Sequence, residues 1–288
     1  MMDCVVVTGA GGIVGRSAVA RLSKSGWRVI PIVSPTSFAD VSGAVAADLT
    51  RGWPDVGPFS HVVHLAAALT HDPRYRDGDI SGRLTRQIDD TVLAIAERFG
   101  ARVIYASTCS LYDPADPREK AENSPVLRTD TPYRLAKRET ENRLLSDVRA
   151  MVFRLSAPYG PGMFASTVLP RFIETARSGG TIEVWGSGSR EQNFVHTDDV
   201  ADFILRSMRA ENAGLYNVAG ASISMRELAD RVVRIVQAGR YAMSAARDPM
   251  EGQTARYSVA AATRDLGWRP TIPLDEGIRK CRDLEFRH

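Results

Sequence analysis

Residues 5–15, Val-Val-Val-Thr-Gly-Ala-Gly-Gly-Ile-Val-Gly, constrain this chain more than any other stretch. A β-branched apolar run feeds straight into glycines at 9, 12 and 15, and an amphipathic segment follows. Val5 to Val7 read as a buried strand. Gly9 permits the tight turn, Gly12 lets backbone approach a pyrophosphate, and Gly15 lets helix and strand pack closely. The first amides of the new helix, Ile13 among them, then face an anion. A ligand-free turn would use the same glycines. The strand before them and the helix after them are what favour a bound dinucleotide.

The chain has 288 residues, enough for two regions sharing a cleft. Its formal charge of +3 suits a small acidic substrate and is too weak to argue for nucleic acid. The three cysteines, Cys4, Cys109 and Cys281, are dispersed and odd in number, which points to a reducing compartment, the cytoplasm, rather than a disulfide scaffold. No apolar run is long enough to span a bilayer, and no signal peptide is expected before the first strand. The histidines show no ligand spacing, so no metal site is expected. His64 reads as structural, because it lies inside a strand pattern without an evident charged partner.

The pattern predicts an α/β fold, a Rossmann-type doubly wound parallel sheet with helices on both faces. Residues 1–160 form the NAD(P)-binding domain, with 190–220 returning to it, and 161–288 are mainly a smaller mixed α/β substrate-binding region. Helices are expected over 17–25, 84–99, 133–145, 164–176, 198–208, 225–236, 260–266 and 274–284, with 75–83 an irregular polar passage. Ser224-x-x-Glu227 is a capping box for the sixth of these. Strands are expected at 28–33, within 41–49, and at 61–64, 102–106, 151–155, 181–185, 193–197 and 215–218, with a short extended segment at 256–259.

Strand ends carry the chemistry in such sheets. The second strand ends at Ser34 rather than at the Asp or Glu that usually holds an adenosine ribose. No Arg is adjacent either, so the sequence leaves NAD and NADP open. Asp48 either accepts from the adenine amino group or caps the next turn. Leu65, Ala66 and Ala67 are a small-residue strand end that a flat cofactor can approach, or that a helix can pack against. Thr108 lies at the end of the 102–106 strand. Tyr133 and Lys137 are four apart on one helix face. A phenol is a poor base at neutral pH unless a cation stabilises its anion. Thr108, Tyr133 and Lys137 could therefore exchange a proton at an oxygen while hydride moves at its carbon.

These motifs, in order, resemble the NAD-dependent epimerase/dehydratase family of extended short-chain dehydrogenases/reductases, whose members mostly handle nucleotide sugars. The series is T-G-A-G-G-I-V-G at 8–15, Asp48-Leu49, H-L-A-A at 64–67, S-T-C at 107–109 and Y-R-L-A-K at 133–137. It continues with R-L-S-A-P-Y-G-P-G at 154–162, N-F-V-H-T-D-D-V at 193–200 and L-G-W-R-P at 266–270. The resemblance implies that Tyr133 is the acid/base, that Lys137 also binds the nicotinamide ribose, and that Thr108 matches the family's Ser/Thr. It implies that Asp48 and Leu49 lie at adenine, that Arg154 to Pro158 line the cleft behind the nicotinamide, and that the protein is a homodimer.

Departures from the family pattern bear on substrate. Gln87 stands for a usual Asn, Ala157 for an Asn that contacts the nucleotide diphosphate, and Gln192 for an Arg. Arg190 and Arg247 are candidate phosphate contacts in its place. Cys109-Ser110 replaces the Asp-Glu pair of sugar 4,6-dehydratases, which disfavours dehydration. The expected reaction is therefore epimerisation or reduction of a nucleotide sugar. Oxidoreduction of a small non-nucleotide carbonyl or alcohol is one alternative, and a dinucleotide-sensing regulatory protein another.

Overall fold

The computed structural model describes residues 4–36, 41–69, 75, 77–127, 131–147, 149–211 and 213–287. The first half alternates strand and helix: β1 (Cys4–Thr8), α1 (Ile13–Lys24), β2 (Arg28–Val33), β3 (Val45–Ala46), β4 (His61–His64), α2 (Gly78–Phe99), β5 (Arg102–Thr108), α3 (Pro132–Leu145) and β6 (Met151–Leu155). The second half holds β7 (Ala157–Tyr159), α4 (Val168–Arg177), β8 (Thr181–Trp185), β9 (Glu191–His196), α5 (Thr197–Arg209) and β10 (Gly214–Val218). It ends with β11 (Ala221–Ser224), α6 (Met225–Val236), β12 (Arg240–Ser244), α7 (Ala260–Leu266) and α8 (Leu274–Arg282).

Seven strands form one parallel sheet in the order β10-β6-β5-β4-β1-β2-β3. Alternation along each strand sends Val5 and Val7 to one face and Val6 to the other, so the sheet needs a helical layer on both sides. Ala18 and Leu22 of α1 and Phe203 and Ile204 of α5 cover the first face. Val92 and Ala96 of α2 and Leu144 of α3 cover the second. Strand order reverses between β1 and β4, and a ligand crevice opens beyond the carboxyl ends of strands at such a point.

A second core surrounds Ile182, Val184, Leu228, Val232 and Ile278. It is built on two small sheets, β11-β9-β7 and β12-β8. Asp199 joins the end of the chain to α5: its carboxylate accepts from the Thr271 and Ile272 amides, and its carbonyl accepts from Trp268 Nε1. The L-G-W-R-P and T-D-D-V motifs are thus partners in packing.

Several expected bounds need correction, among them the helix expected from 164, which starts at Val168. The helix expected from residue 84 starts at Gly78, inside the supposed irregular passage. Asp77 caps it by accepting from the Asp79 and Ile80 amides, and its first turns bury Ser81 and Gly82 against the protein. Polar side chains hid that start because the buried face carries small residues rather than large apolar ones. The strands at 157–159, 221–224 and 240–244 were not expected, whereas 256–259 holds only a bridge from Tyr257 to Lys120. These are short strands whose partners lie far away in sequence.

Candidate active site

Backbone builds the cofactor end. Gly9 turns at φ +66°, and a Cβ there would lie 2.8 Å from the Ala66 amide nitrogen, so the loop abuts the end of β4. A Cβ on Gly15 would collide with the Gly9 carbonyl and come within 2.7 Å of Ala10 Cα. Gly12 differs from both. Its φ is an ordinary −73°, and among the described residues a Cβ would approach only the Gly9 carbonyl oxygen, at 3.3 Å. A Cβ at 12 would therefore crowd the protein less than one at 9 or 15, and the exposed backbone there suits a phosphate lying against it. Gly12 is also the N-cap of α1 and gives no side-chain cap, which leaves the first-turn amides, including that of Ile13, to an anion. The loop fits a dinucleotide pyrophosphate.

Beyond the loop, Ser34 is exposed at the end of β2, with its hydroxyl 3.0 Å from Thr36 Oγ1. Asp48 caps a turn, accepting from the Thr50 amide at 3.0 Å and the Thr50 hydroxyl at 2.7 Å. Leu49 is buried in the second-face core, Leu65 and Ala67 are half-buried at the end of β4, and Pro158 lies in β7.

The reacting end is built from side chains. β5 ends at Thr108, whose hydroxyl accepts from the Ser110 amide at 3.1 Å and starts a short 3-10 turn over 109–111. Pro132 at the first position of α3 and the Thr131 cap fix that helix's start and place Tyr133 in its first turn. Tyr133 is half-buried, and Arg134 beside it lines a cleft of about 300 Å³. Thr108, Cys109, Ser110, Leu155, Ser156, Ala157 and Gln192 share that cleft. One turn on, Lys137 is 2% exposed; its ammonium donates to the Ala106 carbonyl at 3.0 Å and lies over the Tyr105 ring. Burial lowers the Lys137 pKa, and the Asp89 carboxylate partly restores it. Burial raises the Tyr133 pKa, and the Asp89 charge raises it further.

Gln87, Arg154, Arg190 and Arg247 lie off the cleft wall, and Cys109 on it is engaged within the protein. Gln87 is exposed. The face of α2 that turns inward carries Thr85 and Asp89, because burial along this helix follows 81, 85, 89, 92 and 96. Arg154 does not line the cleft; it is buried in an ion pair with Glu141. Arg190 pairs with buried Asp248 at 2.9 Å, and exposed Arg247 is absent from the cleft wall. Cys109 donates its thiol to the Arg154 carbonyl, and burial pushes its pKa up. His64 has the charged partner that its strand position concealed: Nε2 lies 2.9 Å from Asp89 Oδ1. Asp89 was missed because its partners come from three distant segments. The available signal was an acid on the apolar stripe of a helix.

Residues 5–219 match the model of the NAD dependent epimerase/dehydratase family. Among curated proteins, a dTDP-glucose 4,6-dehydratase of Streptomyces griseus is 28% identical, over 96% of this chain and 92% of its own. A dTDP-4-dehydro-6-deoxy-D-allose reductase of a Streptomyces species is 27% identical over 81% of each chain. The fold is shared with UDP-glucose 4-epimerase of Thermotoga maritima, solved with UDP-glucose, at a TM-score of 0.81, 21% identity and 96% coverage of both chains. It is shared too with the NAD-bound dTDP-glucose 4,6-dehydratase of Streptomyces venezuelae, at 0.82, 23% and 97% of both. The glycine cradle, the sheet order and this match over residues 5–219 lead to one conclusion: the chain belongs to the NAD dependent epimerase/dehydratase family and is an NAD(P)-dependent enzyme.

Proposed function

We propose that this protein is an epimerase or reductase of a nucleotide-activated sugar, acting at a sugar carbinol or keto carbon with Tyr133 as acid/base. The observation that carries the reading is the buried Lys137 ammonium, one helical turn from Tyr133 and held on the Ala106 carbonyl of β5, the strand that ends at Thr108 on the cleft wall. Bound nicotinamide supplies the hydride acceptor or donor. Thr108 holds the reacting oxygen by a hydrogen bond. Tyr133 Oη takes the proton from that oxygen as an alcohol is oxidised and returns it on reduction. Lys137 opposes the cost of a phenolate.

The similarity to dTDP-sugar and UDP-sugar enzymes supports the substrate class, since four such relatives align over most of their length. Dehydration is disfavoured despite the dehydratase relatives. Elimination needs an acid/base pair, and the positions after Thr108 are a thiol donated to a carbonyl and the hydroxyl of Ser110. A specific observation favours a second reading, a small non-nucleotide carbonyl or alcohol. Ala157 and Gln192 on the cleft wall are uncharged, and of the nearby arginines Arg190 is paired with Asp248 and Arg256 with Glu191, although Arg134 also lines that wall.

The cofactor is NAD or NADP. A homodimer through the cofactor domain is supported by exposed Ile80 on α2 and Leu135 and Leu145 on α3. Three free, buried cysteines support a reducing, cytoplasmic setting. Among the described residues, no helix is long and apolar enough to cross a membrane.

The test is turnover of UDP-, GDP-, CDP- and dTDP-sugars, read by product analysis and by NAD(P)H absorbance. Interconversion without net cofactor consumption identifies an epimerase, and stoichiometric consumption a reductase. Turnover of simple ketones alone would replace the nucleotide-sugar reading, and cofactor binding without any turnover would favour a sensor.

A further inference from the structure

Asp89 is a carboxylate with no exposure at all, on the inward face of α2. An acid so placed is expensive unless it is paired and fully hydrogen-bonded. Here it is both. Oδ1 accepts from His64 Nε2 at 2.9 Å; Oδ2 accepts from the Tyr105 hydroxyl at 2.6 Å and the Thr140 hydroxyl at 2.8 Å. With Nε2 donating, His64 Nδ1 is an acceptor, and the Thr8 hydroxyl donates to it at 2.8 Å. Thr8 Oγ1 in turn accepts from the Leu65 and Ala66 amides at 3.2 and 3.3 Å. The chain of bonds runs from α3 through Asp89 to the ends of β1 and β4, where the cofactor loop turns.

The charges in this space are few. From α3 come Lys137 and Tyr133; from β4 comes His64, which burial keeps neutral; from β5 comes Tyr105, which burial and Asp89 keep protonated. Glu141 of α3 is directed instead to Ser107 and Arg154, and Asp90 of α2 to Arg143 on the outside. The opposite charge that acts on Asp89 in this pocket is therefore that of Lys137. Burial opposes ionisation of Asp89, but the Lys137 charge and the His64 hydrogen bond outweigh it and keep it a carboxylate.

We propose that Asp89 is a positioning residue for the acid/base pair. As the buried counter-charge of Lys137, it holds the cluster of Asp89, Lys137 and Tyr133 neutral in its resting state, and it ties that cluster to the cofactor loop through His64 and Thr8. The inference rests on the reading of Tyr133 as acid/base for its effect on turnover, but not for its effect on stability.

The consequence follows from coupled titration. Removing one negative charge makes the first deprotonation of the remaining cluster easier, whether the proton leaves Lys137 or Tyr133. Asp89→Asn keeps the shape, so the base form of the cluster is reached at lower pH. The measurement is the pH dependence of turnover in the alcohol-oxidising direction, with cofactor affinity followed by quenching of protein fluorescence. The limb that rises with pH is expected to move down by about one pH unit, and Asp89→Asn is expected to retain cofactor binding. An unmoved limb would overturn the proposal.

The second measurement needs no reaction. Lys137→Met leaves Asp89 buried and hydrogen-bonded but without that opposite charge, and is expected to lower the thermal midpoint. Adding Asp89→Asn to Lys137→Met is expected to recover part of that loss, so the double variant melts above Lys137→Met alone. A double variant that melts at or below Lys137→Met would overturn the pairing even if Asp89→Asn by itself did not fold. If the stability cycle holds while Tyr133→Phe retains full turnover, the function assigned to Tyr133 fails and the Asp89–Lys137 pairing survives.

Discussion

The two ends of the cleft are built from different materials. At the cofactor end, glycines and amides do the shaping, and buried charges behind them are matched: Asp89 against Lys137, Glu141 against Arg154. At the substrate end, the wall mixes Gln192, Ser156 and Ala157 with charged Arg134 and Glu191 and with Asn193, which is buried and bonded to the Gly220 backbone. Two of the arginines near that wall are held in ion pairs, Arg190 with Asp248 and Arg256 with Glu191. Backbone and buried charge cannot be altered piecemeal without cost to the fold. Partly exposed wall residues such as Ala157 and Gln192 can.

The contrast can be broken most sharply at the reacting end. Tyr133→Phe is expected to lower kcat by about 10²–10⁴-fold, the usual worth of a positioned acid or base, with cofactor affinity kept. Steady-state kinetics beside a cofactor titration check it, and equal losses in both would make Tyr133 a packing residue. At the loop, Gly15→Ala must push a Cβ against the Gly9 carbonyl and Ala10, at a cost of about 1–3 kcal/mol. Chemical denaturation and cofactor affinity should both suffer. Gly12→Ala should cost less stability than Gly15→Ala and weaken cofactor binding, because its Cβ would meet the Gly9 carbonyl oxygen at 3.3 Å rather than collide with it.

A smaller effect concerns acid. Burial depresses the His64 pKa below its unfolded value near 6.5, with Asp89 opposing the shift. The unfolded chain therefore binds more protons below that value. The stability is present above about pH 6.5 and is lost as pH falls, at up to about 1.4 kcal/mol per pH unit. Thermal midpoints measured from pH 7.5 to 5 should fall, and less steeply in His64→Gln; parallel slopes would remove His64 as the cause. At the substrate wall, Gln192→Arg should lower KM for a diphosphate-bearing substrate by about tenfold or less without changing kcat. No change in KM would favour the non-nucleotide reading.

How much was legible follows from the range of each interaction. The Gly9-Gly12-Gly15 loop, the capping box at Ser224 and the helix at 260–266 are local signals, and they read correctly. The start of α2 did not, because its buried face of Ser81, Gly82, Thr85 and Asp89 looks polar in a one-dimensional pattern. Placement of Gln87 depended on matching a motif by spacing along a helix. Two residues of offset rotate a side chain by more than half a turn, from Thr85 or Asp89 inside to Gln87 outside. Arg190 and Arg154 were identifiable as cations near the site, but not as cations already matched by Asp248 and Glu141.

The sequence by itself determined the alternation of strand and helix, the parallel sheet and the cofactor loop, because each follows from periodicity or from a residue that tolerates only certain backbone geometry. It also supplied Thr108, Tyr133 and Lys137 as a set, through spacing and order. Only the tertiary structure decided which charges cancel. Asp89 and Lys137 lie 48 positions apart, and Arg190 and Asp248 lie 58 apart. Whether a charge is free to meet a ligand depends on what the fold brings against it in a medium without water, and no local pattern carries that information.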